Sequence, residues 1–270
     1  MNMTPFDEAE RRIWDGRAAA YARSFAGLCA HTVPALLDAA GVGPGARVLD
    51  VGTGTGAVAA AACRARAIVS AVDAEPDMTL WTAEAVPEAD VRVAALPELP
   101  FVDGTFDAVL ANFVLNHVGR PRAAAAELRR VTGDCGRVAV SLWGDERGAG
   151  QSLARQAVAA AGLGLPPALP PIAPEEDFPL TEEGVAALLS GAGFTGVVCE
   201  TVRFEHRVDP ERWWAGTAGG VGPVGALVAA QPQDVIDAVR KEFDALVQPL
   251  LGDDGLATLP HVALLASGSA

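Results

Sequence analysis

A short strand that runs without a break into three alternating glycines and then into a helix constrains this chain more than any other feature. Arg47-Val48-Leu49-Asp50-Val51 is β-branched and apolar, Gly52-Thr53-Gly54-Thr55-Gly56 follows at once, and the small residues Ala57 to Arg64 read as a helix. Glycines at these positions permit backbone angles and a close ligand approach that any side chain would block. The N–H groups of the turn and of the helix start attract an anion, such as an amino acid carboxylate. Asp50 among Val48, Leu49 and Val51 would be costly without a partner. The pattern therefore predicts a hydrogen-bonding network behind the turn, either tied to a ligand ammonium group or closed internally as a helix cap or ion pair.

The same alternation continues along the chain. Ala67 to Val72 reads as a second strand ending in Asp73, Pro76 opens a helix, and Val91 to Ala94 is a third strand. Phe106 to Ala111, a helix from Pro121 to Val131 and a strand from Gly136 to Trp143 follow. This order predicts a doubly wound α/β sheet with helices on both faces. Ahead of it, residues 5 to 41 read as two helices, with Thr32 able to cap the run from Val33. Behind it, the Gly-, Ala- and Pro-rich stretch from Gly144 to Asp177, with Pro166, Pro167, Pro170 and Pro171, is a surface connection carrying a helix around Leu153 to Ala161. Thr181 caps a further helix, Thr195 to Phe204 is a sixth strand, Pro232 starts a long amphipathic helix, and Leu259 to Ser267 is a seventh strand. Gly52, Gly54 and Ala57 also fit the G-x-G-x-x-A spacing of dinucleotide sites, with Asp73 placed for ribose hydroxyls. The glycine run alone leaves both ligands open.

Composition narrows the functional classes. The chain has 270 residues and a formal net charge of −14, which repels a phosphate backbone and argues against nucleic acid as substrate. No apolar run reaches the roughly 18 to 20 residues of a membrane-spanning helix. The acidic, polar N-terminus does not have the pattern of a secretory signal, so the expected location is cytoplasmic. Cys29, Cys63, Cys135 and Cys199 are far apart and read as buried small hydrophobes. The four histidines are dispersed without ligand spacing, so no metal is expected.

Three blocks carry a family resemblance. Val48 to Gly56 resembles motif I of class I S-adenosylmethionine-dependent methyltransferases, and Leu99-Pro100-Phe101-Val102-Asp103-Gly104-Thr105-Phe106-Asp107-Ala108-Val109 resembles their segment leading through the fourth strand. Leu128 to Val131 with Gly136 to Ser141 resembles the helix, turn and fifth strand of the subgroup similar to ubiquinone and menaquinone biosynthesis methyltransferases. The likeness covers roughly residues 44 to 144. It implies a Rossmann-like sheet of seven strands in the order 3-2-1-4-5-7-6, the last antiparallel, with the cofactor at the carboxyl ends of strands 1 and 4. A single domain is expected: a helical N-terminal lid over 1–43, a cofactor-binding core over 44–144, and the rest of the sheet with a substrate cap over 145–270.

By the same resemblance, Asp50, Gly52, Thr53, Gly54 and Gly56 would hold the methionine part of S-adenosylmethionine, and Asp73 would accept both ribose hydroxyls. Ala74 and Met78 would flank the adenine, Leu96 would offer it a backbone N–H, and Asn112 would meet the methionyl ammonium. Many relatives have an Asp for the adenine amino group where Ala95 stands here. The product would be S-adenosylhomocysteine, no metal is required, and the acceptor would be a small apolar or aromatic metabolite methylated on O, N or C.

Because the donor methyl is already activated, such a site mainly aligns the acceptor and excludes water. Where a base is needed, His117 lies just past the fourth strand and Asp145 just past the fifth; a packing role and a solvated loop are their structural alternatives. His31, His206 and His261 have no companion residues in sequence. Tyr21, two helical turns beyond Trp14, reads as a lid over the cofactor or as part of a core stripe. Trp213 and Trp214, before a segment with five glycines, read as exposed walls of an acceptor site or as anchors of a cap. A protein of this fold that binds the cofactor without transferring methyl (a cyclase, a decarboxylase or a regulatory module) is the alternative, and a nicotinamide oxidoreductase a third. The expected assembly is a monomer or homodimer.

Overall fold

The computed structural model describes residues 3–166 and 168–270, so Pro167 of the proline-rich connection lies outside it. Among the described residues the N-terminal preface is four short helices, not two: α1 (Pro5–Trp14), α2 (Ala18–Arg23), α3 (Ala26–Cys29) and α4 (Val33–Ala39). Gly16, at φ +69°, interrupts the first run in a conformation that favours glycine. Thr4 begins α1 with a capping box, its hydroxyl accepting from the Asp7 N–H. Thr32, expected to cap α4, makes no cap bond. Its hydroxyl turns instead to Asn112 Oδ1 at 2.7 Å and to the Cys29 carbonyl at 3.0 Å.

The sheet is built from β1 (Arg47–Val51), β2 (Ile68–Asp73), β3 (Asp90–Val93), β4 (Phe106–Asn112), β5 (Thr132–Leu142), β6 (Thr195–Val208) and β7 (Ala257–Ser269). Their order is β3-β2-β1-β4-β5-β7-β6, with β1 to β5 parallel and β7 antiparallel to both β5 and β6. This matches the expected order. Helices α5 (Ala57–Arg64), α6 (Pro76–Ala85), α7 (Pro121–Val131), α8 (Ala149–Ala160) and α9 (Glu182–Gly191) follow in turn.

The two-residue period of a strand divides the core. Val48, Leu110 and Ala139 point to the face covered by α4 and α5, whereas Leu49, Val109 and Val138 point to the face covered by α7 and α9. Because both faces are covered, the inner strands read as continuous apolar runs instead of alternating ones. The same pleat sends Asp50 to the face of Val48, directly under the start of α5.

A third cluster forms a cap over the carboxyl ends of the strands. It unites α8 with α10 (Pro210–Ala218), α11 (Gly222–Ala229) and α12 (Gln233–Val247) through Leu153, Trp213, Trp214, Val228, Val239 and Phe243. Here the reading of Trp213 and Trp214 as exposed walls on a loose segment is corrected. They lie inside α10 at 4% and 8% exposure, and Arg240 covers the Trp214 ring at 5.5 Å. Asp209 N-caps α10, accepting from the Glu211 N–H, and burial of two indoles outweighs the cost of the glycines around them. The cysteines also depart from expectation: Cys135 is exposed and the other three are half-buried, all as free thiols. Among the described residues, no helix is long and apolar enough to cross a membrane.

The cap closes on the sheet at Gly150 of α8, where an added Cβ would stand 2.4 Å from Cε1 of His261 and 2.9 Å from Cβ of Leu259. Gly150→Ala should cost about 1–3 kcal/mol through overpacking. Denaturant unfolding of the variant, and of the same change in a His261→Ala background where much of the loss should be recovered, checks this.

Candidate functional site

Strand order reverses between β1 and β4, and the glycine turn sits at the carboxyl end of that divide. Asp50 is fully buried. Its Oδ2 accepts from the Thr53 hydroxyl at 2.7 Å and from the Ala59 N–H at 3.0 Å, while its Oδ1 has no partner. The predicted network behind the turn thus exists, but it is incomplete by one acceptor. Burial pushes the Asp50 carboxyl up to about 7, opposed by the bonds from Thr53 and Ala59.

The three glycines have left-handed φ values of +66°, +56° and +85°, yet they serve different neighbours. A Cβ on Gly52 would meet Cγ2 of Val114 at 2.5 Å, and one on Gly56 would press on Val86 and Thr82 at 3.1–3.3 Å. These two glycines allow packing. Only at Gly54 would a Cβ point toward the lid, 3.6 Å from Cε1 of Tyr21. The Gly54 N–H donates to Asp73 Oδ2 at 2.8 Å and its carbonyl accepts from Thr82 at 2.9 Å, so β2 and α6 hold the turn from the side. Asp73 also accepts from the Glu75 N–H at 3.0 Å, and burial raises its carboxyl above the usual range.

A crevice of about 30 Å³ remains between the turn and the lid, lined by Tyr21, Ala26, Cys29, Gly54, Val58 and Asn112 among others. That is room for about one water, too little for a larger ligand with the N-terminal helices in this position. Tyr21 and Cys29 both line the crevice, and burial raises each above its ordinary value, Cys29 to about 11. Asn112 ties lid to sheet. Its Nδ2 donates to the Cys29 carbonyl at 3.0 Å, and its Oδ1 lies 2.7 Å from the Thr32 hydroxyl and 2.5 Å from that of Ser141.

The structure brings Asp50, Gly52, Thr53, Gly54, Asp73, Asn112 and Tyr21 into one place and sets other sequence candidates around it. Met78 is buried in α6, Ala74 follows β2, and Leu96 packs half-buried against the main core. His117 is half-buried, with Nδ1 2.8 Å from Oε2 of the buried Glu10 and its ring edge-on to Trp14 at 5.5 Å; Trp14 in turn meets Tyr21 at 5.7 Å. Asp145 is exposed beyond β5, with its backbone N–H on the Leu180 carbonyl. Sequence reasoning missed Phe113, which stands in the left-handed region at φ +57° just after β4 and stacks on Trp143 at 4.1 Å. It also missed that His31, His206 and His261 meet: Nε2 of His31 is 3.0 Å from Nδ1 of His206, whose ring centroid is 6.3 Å from that of His261. Between 55 and 230 residues of chain separate them, so no local spacing could reveal it.

Residues 49–140, covering β1 through β5 and therefore the turn and Asp73, match the family described as a methyltransferase domain. Over that third of its length the chain is similar to methyltransferase domains. The chain is also similar to a demethylmenaquinone methyltransferase of Renibacterium salmoninarum, 38% identical over 106 residues that make up 39% of this chain and 45% of that protein. The chain thus spans about half the length of the curated relatives it matches. In fold, it is similar to the YcgJ protein of a Bacillus species, with a TM-score of 0.55 and 17% identity over 88% of this chain and 97% of that one. It is also similar to the [4+2]-cyclase SpnF, with a TM-score of 0.53 and 17% identity over 89% and 81%.

The buried Asp50 should leave a signature in stability. Its folded-state value near 7 exceeds the unfolded value near 3.8, so the folded chain binds this proton more tightly. That contribution is complete below about pH 4 and is lost as pH rises through about 7. Asp50→Asn removes the titration. The unfolding free energy of wild type relative to the variant should therefore fall by on the order of 4 kcal/mol between pH 4 and 8. A difference that does not change with pH would contradict the assignment.

Proposed function

We propose that this chain binds S-adenosylmethionine in the crevice between the glycine turn and the helical lid, and directs its methyl group to a small-molecule acceptor. The observation that carries the reading is the pairing of Asp50 Oδ1, buried and unpartnered, with Asp73 one strand away, on either side of a turn whose Gly54 is open toward the lid. An orphaned carboxylate oxygen beneath a glycine turn and a helix start suits an ammonium beside a carboxylate, which is the amino acid end of this cofactor. Asp73 suits a ribose diol, since a carboxylate offers four lone-pair sites and backbone N–H groups occupy only some of them. Net charge supports a small acceptor over nucleic acid.

The bound cofactor supplies an electrophilic methyl on a positively charged sulfur. This chain's residues bind, orient and exclude water. Gly52, Thr53, Gly54 and Gly56 would hold the methionyl part, Asn112 would form its floor, and Ala74, Met78 and the Leu96 backbone would border the adenine. Ala95 offers no carboxylate there, so adenine recognition rests on shape and backbone. Tyr21 and α3 would close over the reacting end and keep it dry. His117, held in place by Glu10, and Asp145 are the candidates for orienting an acceptor from the other side. The demethylmenaquinone relatives make an aromatic acceptor, methylated in a biosynthetic step, the first class to screen.

Calorimetric titration with S-adenosylmethionine and S-adenosylhomocysteine tests the reading, with NAD as control. Both sulfur ligands should bind, and Asp73→Ala should weaken them by at least about tenfold, the worth of one charge-assisted hydrogen bond. Binding of NAD with neither sulfur ligand would overturn it. Tight binding without methylated product across phenols, amines and hydroquinones would select a binder or cyclase of the same fold.

A further inference from the structure

Asn112 lines the crevice with the same amide group that fastens the lid. Its Nδ2 donates to the Cys29 carbonyl at 3.0 Å, and this sets Oδ1 toward two hydroxyls, that of Ser141 at 2.5 Å and that of Thr32 at 2.7 Å. An amide oxygen has two lone pairs, and here both are taken. Any further donor, a ligand's ammonium group included, can bond to this oxygen only by replacing one of the two hydroxyls.

The two hydroxyls are not equally replaceable. Ser141 lies on β5 at zero exposure, and its oxygen also accepts from the Phe113 N–H at 3.0 Å, so the sheet holds it. Thr32 belongs to the lid. It stands at the N-cap position of α4 but makes no cap bond, so it forgoes the local partner that a threonine there usually takes in order to reach Asn112. A second acceptor is within its reach, the Cys29 carbonyl one turn back in the same segment, 3.0 Å from its hydroxyl. A hydroxyl has a single hydrogen and serves one of these acceptors at a time. On leaving Asn112 it is therefore not stranded, and the usual penalty for breaking a buried polar contact is reduced.

We propose that Thr32 and Asn112 form a latch on the lid that the ligand's own ammonium group releases, an inference that rests on the cofactor reading above. With the site empty, the Thr32 hydroxyl fills the lone pair of Asn112 Oδ1 and holds the segment carrying Ala26 and Cys29 down on the crevice. When S-adenosylmethionine binds, its ammonium takes that lone pair, Thr32 falls back on the Cys29 carbonyl, and the segment is free to shift and make room. Lid closure and cofactor binding thus compete for one oxygen atom, and Thr32 sets part of the affinity without touching the ligand.

Cys29 gives a readout that needs no ligand. N-ethylmaleimide does not fit a space for about one water, and burial holds the thiol at about 11, so Cys29 of the full chain is alkylated only when the lid lifts. Mass spectrometry follows the reaction, with the exposed Cys135 as internal standard. Thr32→Val should speed Cys29 alkylation by about three- to tenfold, the worth of one net hydrogen bond. It should tighten S-adenosylhomocysteine binding by the same factor, because the ligand no longer competes with Thr32. Thr32→Ser, which keeps the hydroxyl, should match wild type in both. A wild-type alkylation rate in Thr32→Val overturns the latch, as does an equal rise at Cys199, which packs on the sheet face away from α4 and reports general unfolding. Faster alkylation with unchanged affinity overturns release by the ligand. Failure of wild type and variant alike to bind either sulfur ligand sinks the cofactor reading instead, and the alkylation rates still decide the latch.

Discussion

The architecture turns on a single buried carboxylate. Asp50 sits on a central strand at zero exposure, and its two hydrogen bonds join β1 to the turn through Thr53 and to the next helix through Ala59. The bond to the Ala59 N–H falls in the first turn of α5, where unpaired donors and the helix dipole both favour negative charge. Direction of α5, shape of the turn and position of Gly54 are therefore set together. Gly52 and Gly56 then let Val114, Val86 and Thr82 close around the same point. What the arrangement leaves unsatisfied is one oxygen, and that oxygen gives the turn a use beyond packing.

The lid depends on the sheet in a similar way. Asn112 ends β4 in register with Ser141 of β5, and the two side chains bond to each other while Asn112 reaches Cys29 and Thr32 of the lid. On the far side, Glu10 gathers Trp14 and His117. These contacts hold a crevice too small for a nucleoside, so ligand binding must displace some of them. Breaking them costs free energy that lowers the affinity of any larger ligand, and the polar contacts at Asn112 and Glu10 contribute to that cost.

How much of this could be read from the chain follows from the range over which each signal acts. The strands themselves and the helix from Pro121 to Val131 were legible because apolar runs, proline starts and glycine stops act within a few residues, whereas strand order and the antiparallel last strand came from the family resemblance. So was the crowding of Asp50, Gly54 and Asp73, since a strand, turn and strand bring them together locally. The lid was legible only as helix: Gly16 breaks it, and Thr32 spends its hydroxyl on a strand 80 residues away instead of on its own helix. Trp213 and Trp214 were misread because glycines nearby suggest a loose segment, while the partners that bury them, Phe25, Phe243 and Arg240, come from other parts of the chain.

Histidine shows the same limit most sharply. Four dispersed imidazoles carry no spacing signal, yet three share one aromatic cluster, and the two buried ones differ in the partner of Nδ1 and in what lies against Nε2. At His261 a glycine was placed so that a helix backbone fills the space, and the nitrogen is sealed. At His206 the ring is joined through a hydrogen bond to a histidine that solvent can reach. A fold that tolerates an unpaired buried nitrogen gives up stability at that point, and such a loss persists where the group has work to do. Asp50 Oδ1 is such a point, beneath the glycine turn and suited to facing a cation.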